Sequence, residues 1–320
     1  MKPDEIRNVA VIGAGLMGHG IALEFALGGL DVRLHDISRE KLDEGMLNIR
    51  KDFSMLVAAH LVTQQQADVG LQNIHPSIIL EEVAVNVDVV VEAVFENLEI
   101  KRSIFSRLDA ICQPGAIFSS NTSTLLPSSI ASATRRPDKV LVTHYFNPPF
   151  LLPLVEVVRG AQTSDETITV IVEFLKKLGK SPALVQKEVP GFIGNRLQMA
   201  MLREALSLIE RGIASPQDID VVIKNSFGRR LSTAGVFEIF EIAGWDLIRQ
   251  VALNLLPSIA SSTELSPILQ DKVERGELGV KTGKGFYQWT PESSEALRHR
   301  ISTALINIQK FTRNKGGNEA

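Results

Sequence analysis

Residues 9–18 read Val-Ala-Val-Ile-Gly-Ala-Gly-Leu-Met-Gly, and this stretch decides the fold of the chain. The β-branched run predicts a strand that stops at a glycine, and the residues that follow have helical periodicity. Between them the glycines fall in the spacing G-x-G-x-x-G. The first glycine permits a tight turn, the second lets a pyrophosphate approach the backbone, and the third lets the helix pack on the strand. Free N–H groups at the helix start favour that anion. We therefore expect a dinucleotide to bind at Gly13, Gly15, Leu16, Met17 and Gly18.

A second strand is predicted about twenty residues further on, in Asp-Val-Arg-Leu-His-Asp at positions 31–36. It ends at Asp36, where a carboxylate is suited to bind a ribose 2′-hydroxyl, so the sequence favours NAD as the cofactor. Arg39 keeps NADP as the alternative, because a nearby arginine can accommodate a 2′-phosphate.

Composition places limits on the partners. The chain has 320 residues, of which 44% are hydrophobic and 22% charged, with a net charge of −3. This balance gives no basic footprint for nucleic acid, and no apolar run approaches the ~20 residues of a membrane span. The first predicted strand starts too early to leave room for a signal peptide, so we expect a cytoplasmic protein. The single cysteine, Cys112, excludes a disulfide framework and a cysteine-based metal cluster, and we expect no metal.

Predicted strands alternate with helices up to residue 188, including a buried strand in residues 87–94 and a short one around residues 78–80. This order predicts an α/β fold of the Rossmann type, a doubly wound and mostly parallel sheet, over residues 1–188. Apolar spacing is helical from there on. Residues 189–320 are therefore predicted to form an all-α C-terminal domain, with a last helix at 294–311 and a disordered tail from 314.

A nicotinamide cofactor implies hydride transfer, which needs a base for the hydroxyl proton. His144 ends an apolar strand at the edge where open α/β sheets bind ligands. The next strand carries Glu156 among apolar residues, and an imidazole N–H is a suitable partner for that carboxylate. The alternative is that His144 is an ordinary strand-end histidine and that Glu156 faces solvent.

Three further polar residues lie near predicted strand ends or helix starts. Ser123 could bind the reacting oxygen and Asn121 the nicotinamide, although Asn-Thr-Ser is also an ordinary helix cap. Asn195 begins a long helix, where it could face the cleft as a donor or merely bond the helix terminus.

Taken together, these motifs resemble the NAD-dependent L-3-hydroxyacyl-CoA dehydrogenase family over nearly the whole chain. They comprise the glycine turn, Asn121-Thr-Ser, His144-Tyr-Phe-Asn-Pro with Glu156 twelve residues on, Pro190-Gly-Phe-Ile-Gly-Asn-Arg and Lys281-Thr-Gly-Lys-Gly-Phe-Tyr. The resemblance implies a catalytic dyad of His144 and Glu156, with Ser123 and Asn195 holding substrate oxygens. It also implies a homodimer joined through the helical domain, a place in fatty acid metabolism, and a cofactor bordered by Glu96, Lys101, Asn121, Asn147 and Lys281.

The chain departs from that family in features that concern the substrate. Members that act on acyl-CoA usually carry basic residues after the second strand, whereas residues 52–71 contain no lysine or arginine. The usual Gly-Pro-Phe-Glu turn is replaced by Ala-Gly-Val-Phe-Glu, and Arg229-Arg230 precede it. These features resemble the gulonate dehydrogenase and λ-crystallin branch, in which a basic residue near Arg230 could hold a substrate carboxylate. The first expectation is a 3-hydroxyacyl-CoA; a free hydroxy acid and a non-catalytic, crystallin-like role are the alternatives.

Overall fold

The computed structural model describes residues 1–316, with side chains described to residue 312. These residues divide into two compact units, Met1–Asn195 and Arg196–Thr312. The predicted domain boundary at residue 188 falls seven residues before this division, within the segment that leads into the long helix.

The first unit is built on a sheet of eight strands in the order β3-β2-β1-β4-β5-β6-β7-β8. The first six strands run parallel, β7 is antiparallel to β6, and β8 is parallel to β7. The predicted fold class, a mostly parallel sheet of the Rossmann type, is confirmed. The strands are β1 (Asn8–Ile12), β2 (Asp31–His35), β3 (Ile74–Ser77), β4 (Val89–Glu92), β5 (Ile117–Ser120), β6 (Val140–Tyr145), β7 (Leu154–Arg159) and β8 (Ser181–Val185).

Central strands of the sheet are covered on both faces. Every residue of β4, β5 and β6 is buried, which requires helices above and below them. Strand order reverses between β1 and β4, so the crevice of the fold opens at the carboxyl ends of these two strands. The helices of this unit are α1 (Gly18–Leu27), α2 (Arg39–Ala58), α3 (Gln64–Gln72), α4 (Leu80–Ala84), α5 (Leu98–Ile111), α6 (Pro127–Ala131) and α7 (Asp165–Lys177).

The second unit is helical, as predicted, and α8 leads into it. Among residues 196–312 the only extended pairings are isolated bridges, between Gly279 and Lys284 and between Lys284 and Gln288. Its helices are α8 (Gly194–Glu210), α9 (Pro216–Asn225), α10 (Phe227–Leu231), α11 (Val236–Ala243), α12 (Trp245–Leu255), α13 (Pro267–Glu274) and α14 (Pro291–Gly316). No helix within residues 1–316 is both long enough and apolar enough to cross a membrane.

Two local predictions were wrong. The short strand expected at residues 78–80 lies instead at Ile74–Ser77, and Leu80 already begins a helix. Pro76 lies within that strand, which is possible because β3 is at the edge of the sheet. The last helix continues to Gly316, so the tail expected to be disordered from 314 is helical for its first residues. The remainder of that tail, residues 317–320, lies outside the described residues.

Candidate active site

The glycine-rich turn follows β1 directly. Gly13 has φ +106°, and a Cβ there would lie 2.6 Å from the Ala93 carbonyl oxygen. A Cβ on Gly18 would lie 1.7 Å from the Gly13 carbonyl oxygen. A Cβ on Gly15 would meet no atom within 4 Å. The fold itself therefore requires glycine at positions 13 and 18. At Gly15 the backbone is open to a ligand in the crevice.

A cavity of about 640 Å³ opens beside this turn. Asp36, at the end of β2, borders it and accepts hydrogen bonds from the backbone N–H groups of Ala14 at 2.9 Å and Ile37 at 2.8 Å. The carboxylate is thus tied to the glycine turn. The other residues that line the cavity come from the turn, α1, α2, the loop after β4, α5 and the loop after β5, and include Leu16, Met17, His19, Lys41, Glu44, Phe95, Ile104 and Asn121.

This cavity suits a dinucleotide on structural grounds. Its floor is bare backbone at Gly15, the start of α1 faces it, and a carboxylate borders it. Of the predicted cofactor residues, Gly13, Gly15, Leu16, Met17, Asp36 and Asn121 line it. A bound nicotinamide would accept or return a hydride.

Glu96 joins the loop after β4 to the loop after β5. Its Oε1 accepts hydrogen bonds from the Ser123 N–H at 3.2 Å, the Thr124 N–H at 3.1 Å and the Thr124 hydroxyl at 2.8 Å, and from the Thr122 hydroxyl. Burial works to raise the pKa of Glu96, but these hydrogen bonds and Lys101 outweigh it and lower the pKa. Glu96 therefore fixes the position of Ser123.

Lys101 is fully buried below these loops, with Nζ 2.6 Å from Oε1 of Glu92 and 3.5 Å from Oε2 of Glu96. Glu92 is also fully buried, and its Oε2 accepts a hydrogen bond of 2.6 Å from Ser120. Sequence reasoning missed Glu92, because it stands at the end of an apolar run that identified only a strand. Its place directly before the loop was the available signal.

Asn121 and Asn147 both lie near the end of β6. Oδ1 of Asn121 accepts a hydrogen bond from the Tyr145 N–H at 2.9 Å, which leaves its amide N–H₂ group available. Asn147 is exposed and precedes a cis bond to Pro148. Their predicted contacts with the cofactor stay predictions.

His144 and Glu156 face each other across the antiparallel pair of β6 and β7. Nδ1 of His144 lies 2.8 Å from Oε2 of Glu156, and both side chains are buried. Oε1 of Glu156 accepts hydrogen bonds from the N–H groups of Ile193 at 2.9 Å and Gly194 at 2.8 Å. Burial works to raise the pKa of Glu156, but the hydrogen bonds from His144 and the two N–H groups outweigh it and lower the pKa.

This arrangement determines which nitrogen of His144 can act. An ionised Glu156 only accepts, so Nδ1 carries the proton and donates it. In the neutral imidazole Nε2 then holds the lone pair, and Nε2 has no hydrogen-bond partner among residues 1–312. Phe146 and Phe192 pack against the ring, at 4.7 and 5.6 Å between centroids. His144 is therefore an oriented base with one open nitrogen.

Ser123 and Asn195 join the same locality. Nδ2 of Asn195 donates to the Ser123 carbonyl oxygen at 3.4 Å, and Gly194, which binds Glu156, precedes Asn195 in the chain. The structure thus brings together the four residues predicted to be catalytic, His144, Glu156, Ser123 and Asn195, within the first unit.

Arg230 and Lys281 belong to the second unit. Arg230 is exposed near the end of α10, and Lys281 is exposed in the 3₁₀ turn Val280–Thr282. Their predicted roles toward substrate and cofactor stay predictions.

A dinucleotide crevice with an oriented histidine–carboxylate pair at the carboxyl edge of its sheet defines an NAD-dependent oxidoreductase. Comparison with known proteins agrees. The sequence profile described as the 3-hydroxyacyl-CoA dehydrogenase NAD binding domain matches residues 8–189, and that of the family's C-terminal domain matches residues 191–289. The chain belongs to the 3-hydroxyacyl-CoA dehydrogenase family, and its cofactor is NAD.

Relatives of the chain include both thioester and carboxylate enzymes. A probable 3-hydroxybutyryl-CoA dehydrogenase of Deinococcus radiodurans is 38% identical over 87% of this chain and 99% of its own length. A 5-formyl-3-hydroxy-2-methylpyridine 4-carboxylate 5-dehydrogenase of Mesorhizobium japonicum is 29% identical over 96% of this chain and 98% of its own. The crystal structure of an enzyme of that name, described as an NAD⁺-dependent dismutase, has a TM-score of 0.90 and 28% identity, covering 96% of this chain and 98% of that one.

Proposed function

We propose that the protein catalyses the reversible, NAD-dependent oxidation of a 3-hydroxyacyl-CoA to the 3-oxoacyl-CoA. The observation that carries this is the His144–Glu156 pair, whose carboxylate is anchored by two backbone N–H groups and whose Nε2 is open. Relatives named as 3-hydroxybutyryl-CoA dehydrogenases, at 34–38% identity, support the substrate class.

In this proposal His144 takes the proton of the 3-hydroxyl group at Nε2, while the carbon-bound hydrogen leaves as hydride to NAD⁺. Glu156 keeps the ring oriented and stabilises the imidazolium that forms. Ser123 and Asn195 hold the substrate oxygen, and Glu96 holds the loop that carries Ser123. Lys101, Asn147 and Lys281 complete the surroundings of the cofactor.

A free hydroxy carboxylic acid is the second candidate substrate, with Arg230 binding its carboxylate. Two observations keep it as the alternative. The carboxylate dehydrogenase of M. japonicum matches 96% of this chain, against 87% for the D. radiodurans enzyme. The segment 52–71 contains no basic residue, and Asp52 within it is paired with His19.

The experiment is NADH oxidation with acetoacetyl-CoA, set against NAD⁺ reduction by a panel of free hydroxy acids. Turnover with acetoacetyl-CoA that falls by several orders of magnitude in His144→Ala supports the thioester. The thioester proposal is overturned if only a free acid is turned over and if that activity is lost in Arg230→Gln but kept in the neighbouring control Arg229→Gln. Tight NADH binding without turnover in either series would instead indicate a crystallin-like, non-catalytic protein.

We also propose a cytoplasmic homodimer formed through the second unit, acting in fatty acid metabolism. The second unit exposes large apolar side chains on α8, α11 and α12, among them Leu197, Phe237, Ile242 and Leu253. Light scattering should give twice the mass of 35.1 kDa. A charged substitution such as Ile242→Lys should reduce it to one chain.

A further inference from the structure

His19 stands in the first turn of α1, directly after the glycine-rich turn, and borders the dinucleotide cavity. Its Nδ1 lies 2.7 Å from the carbonyl oxygen of Gly15, the glycine whose backbone is open to the cavity. The same oxygen accepts the backbone N–H of His19 at 3.2 Å. The ring therefore holds the Gly15 carbonyl group in place together with the backbone N–H of His19.

The other ring nitrogen reaches α2. Nε2 of His19 lies 3.2 Å from Oδ2 of Asp52. That oxygen is buried and has no hydrogen-bond donor among the described residues, so His19 is its ion-pair partner. An unpaired carboxylate oxygen in such a place is costly, which fixes the ring as well as the carboxylate.

These two contacts set the protonation state of His19. A carbonyl oxygen and a carboxylate both accept and cannot donate, whereas a neutral imidazole has a single N–H. Only an imidazolium carries a proton on both nitrogens, so that it donates to the carbonyl oxygen and also places a positive charge beside the carboxylate. Burial works to lower the pKa of His19, but Asp52 and Gly15 together outweigh it and raise the pKa.

We propose that His19, kept as an imidazolium by Asp52, is a positioning residue for cofactor binding: it clamps the Gly15 carbonyl and adds positive charge to the cavity wall at the start of α1. A cation here reinforces the positive end of the helix dipole toward the pyrophosphate. Asp52 is a positioning residue that acts through His19. The proposal rests on dinucleotide binding alone, so it holds for either substrate class.

Other charged groups also lie near α1. Asp36, Lys41 and Glu44 border the same cavity as His19. His35 in β2 is hydrogen-bonded to the Ser77 carbonyl oxygen, and burial lowers its pKa, so His35 loses its proton at a lower pH than His19 does. Further charged groups lie on α1 and on the two helices that pack against it: Glu24 on α1, Lys51 on α2 and Asp68 on α3.

The test is fluorescence titration of the whole protein with NADH and with ADP-ribose between pH 6 and 9. Both ligands should bind the wild type more weakly as the pH rises through the pKa of His19. At pH 6.5, His19→Gln should weaken both by about tenfold, the size of one charge-assisted hydrogen bond, and should abolish the pH dependence. Asp52→Asn should move the transition to lower pH, and Asp52→Glu should restore it.

The chain offers a matched control pair. His75 and Asp31 form the same contact, 3.3 Å between Nε2 and Oδ2, but both are exposed and neither borders the cavity. His75→Gln and Asp31→Asn should leave both titrations unchanged. Adenosine, which lacks the pyrophosphate, separates a local role from general damage: His19→Gln should bind it as the wild type does. Equal loss for adenosine and ADP-ribose, or an unchanged pH profile for NADH in His19→Gln, overturns the proposal.

Discussion

Two of the histidine–carboxylate pairs in the first unit, His144–Glu156 and His19–Asp52, differ in the partner of the second ring nitrogen. In the His144–Glu156 pair, the far carboxylate oxygen is held by two backbone N–H groups and Nε2 of the ring is open. In the His19–Asp52 pair, both ring nitrogens face acceptors. The first arrangement lets a proton arrive and leave, whereas the second holds a charge in place. The residue types alone do not distinguish a base from a fixed cation; the partners of the second nitrogen do.

The largest expected effect tests the open nitrogen. His144→Gln keeps a side-chain donor for Glu156 but removes the base, so kcat should fall by about 10²–10⁴, the usual contribution of a general base. The dissociation constant of NADH should stay within about twofold. Steady-state kinetics and fluorescence titration measure the two quantities. His75→Gln is the control, and a kcat near wild type in His144→Gln would contradict the assignment of the base.

A third buried pair sharpens the comparison, because both of its members are fully buried and neither is a histidine. Lys101 and Glu92 are 1% and 0% exposed and lie 2.6 Å apart. Lys101→Met leaves a buried carboxylate without its cation, which should lower the free energy of unfolding by about 3–5 kcal/mol. Urea denaturation followed by circular dichroism measures this.

The control for that pair is Arg107→Met, which breaks an exposed pair with Glu81 of similar length, 2.7 Å. Its midpoint in urea should stay close to wild type. If Lys101→Met were no less stable than this control, the buried pair would not stabilise the fold.

Sequence patterns predicted the sheet and the position of His144 at a strand end because each depends on a short stretch of sequence. Gly13, Asp36 and His144 each follow a β-branched run, and strand ends of a parallel sheet meet at one edge. The patterns did not predict the pairing of His19 with Asp52 or of Lys101 with Glu92. Each contact joins two different elements, even though Glu92 and Lys101 are only nine residues apart in the chain, and a buried charge looks like a surface charge until its partner is known.

The same limit applies to strand direction and position. Nothing in the apolar run of β7 shows that it lies antiparallel to β6, yet this pairing places Glu156 opposite His144. The strand predicted at residues 78–80 was placed four residues too far along the chain. The observed β3 contains Pro76, which a strand at the edge of the sheet tolerates.

A glycine substitution separates the turn from the pairs that support it. Gly15→Ala adds a Cβ that meets no protein atom within 4 Å, so the thermal midpoint of the apo protein should change by no more than about 2 °C. The methyl group would stand where the pyrophosphate approaches, and NADH should bind at least about tenfold more weakly.

Gly18→Ala is the contrasting variant, because its Cβ would lie 1.7 Å from the Gly13 carbonyl oxygen and should lower the thermal midpoint of the apo protein itself. Calorimetry and NADH titration of both variants give the result. If Gly15→Ala bound NADH with wild-type affinity, the turn would not be part of the cofactor site.

The smallest expected effect is on stability against pH, and it has opposite signs for the two histidine pairs. The pKa of His19 is raised above its ordinary 6.5, so its contribution is fully present below that value and is lost as the pH rises through the raised pKa. The pKa of Glu156 is lowered below its ordinary 4.5, so its contribution is present above that value and is lost only as the pH falls through the lowered pKa.

Thermal midpoints of the apo protein from pH 4 to 9 should show this. The difference between wild type and His19→Gln should be largest near pH 6 and shrink toward pH 9, while that between wild type and Glu156→Gln should be level from pH 6 to 9 and shrink in acid. A His19 difference that grows toward pH 9 would mean that the ring is neutral in the fold. His19 would then not be a fixed cation, and the contrast between His19 and the open base His144 would fail.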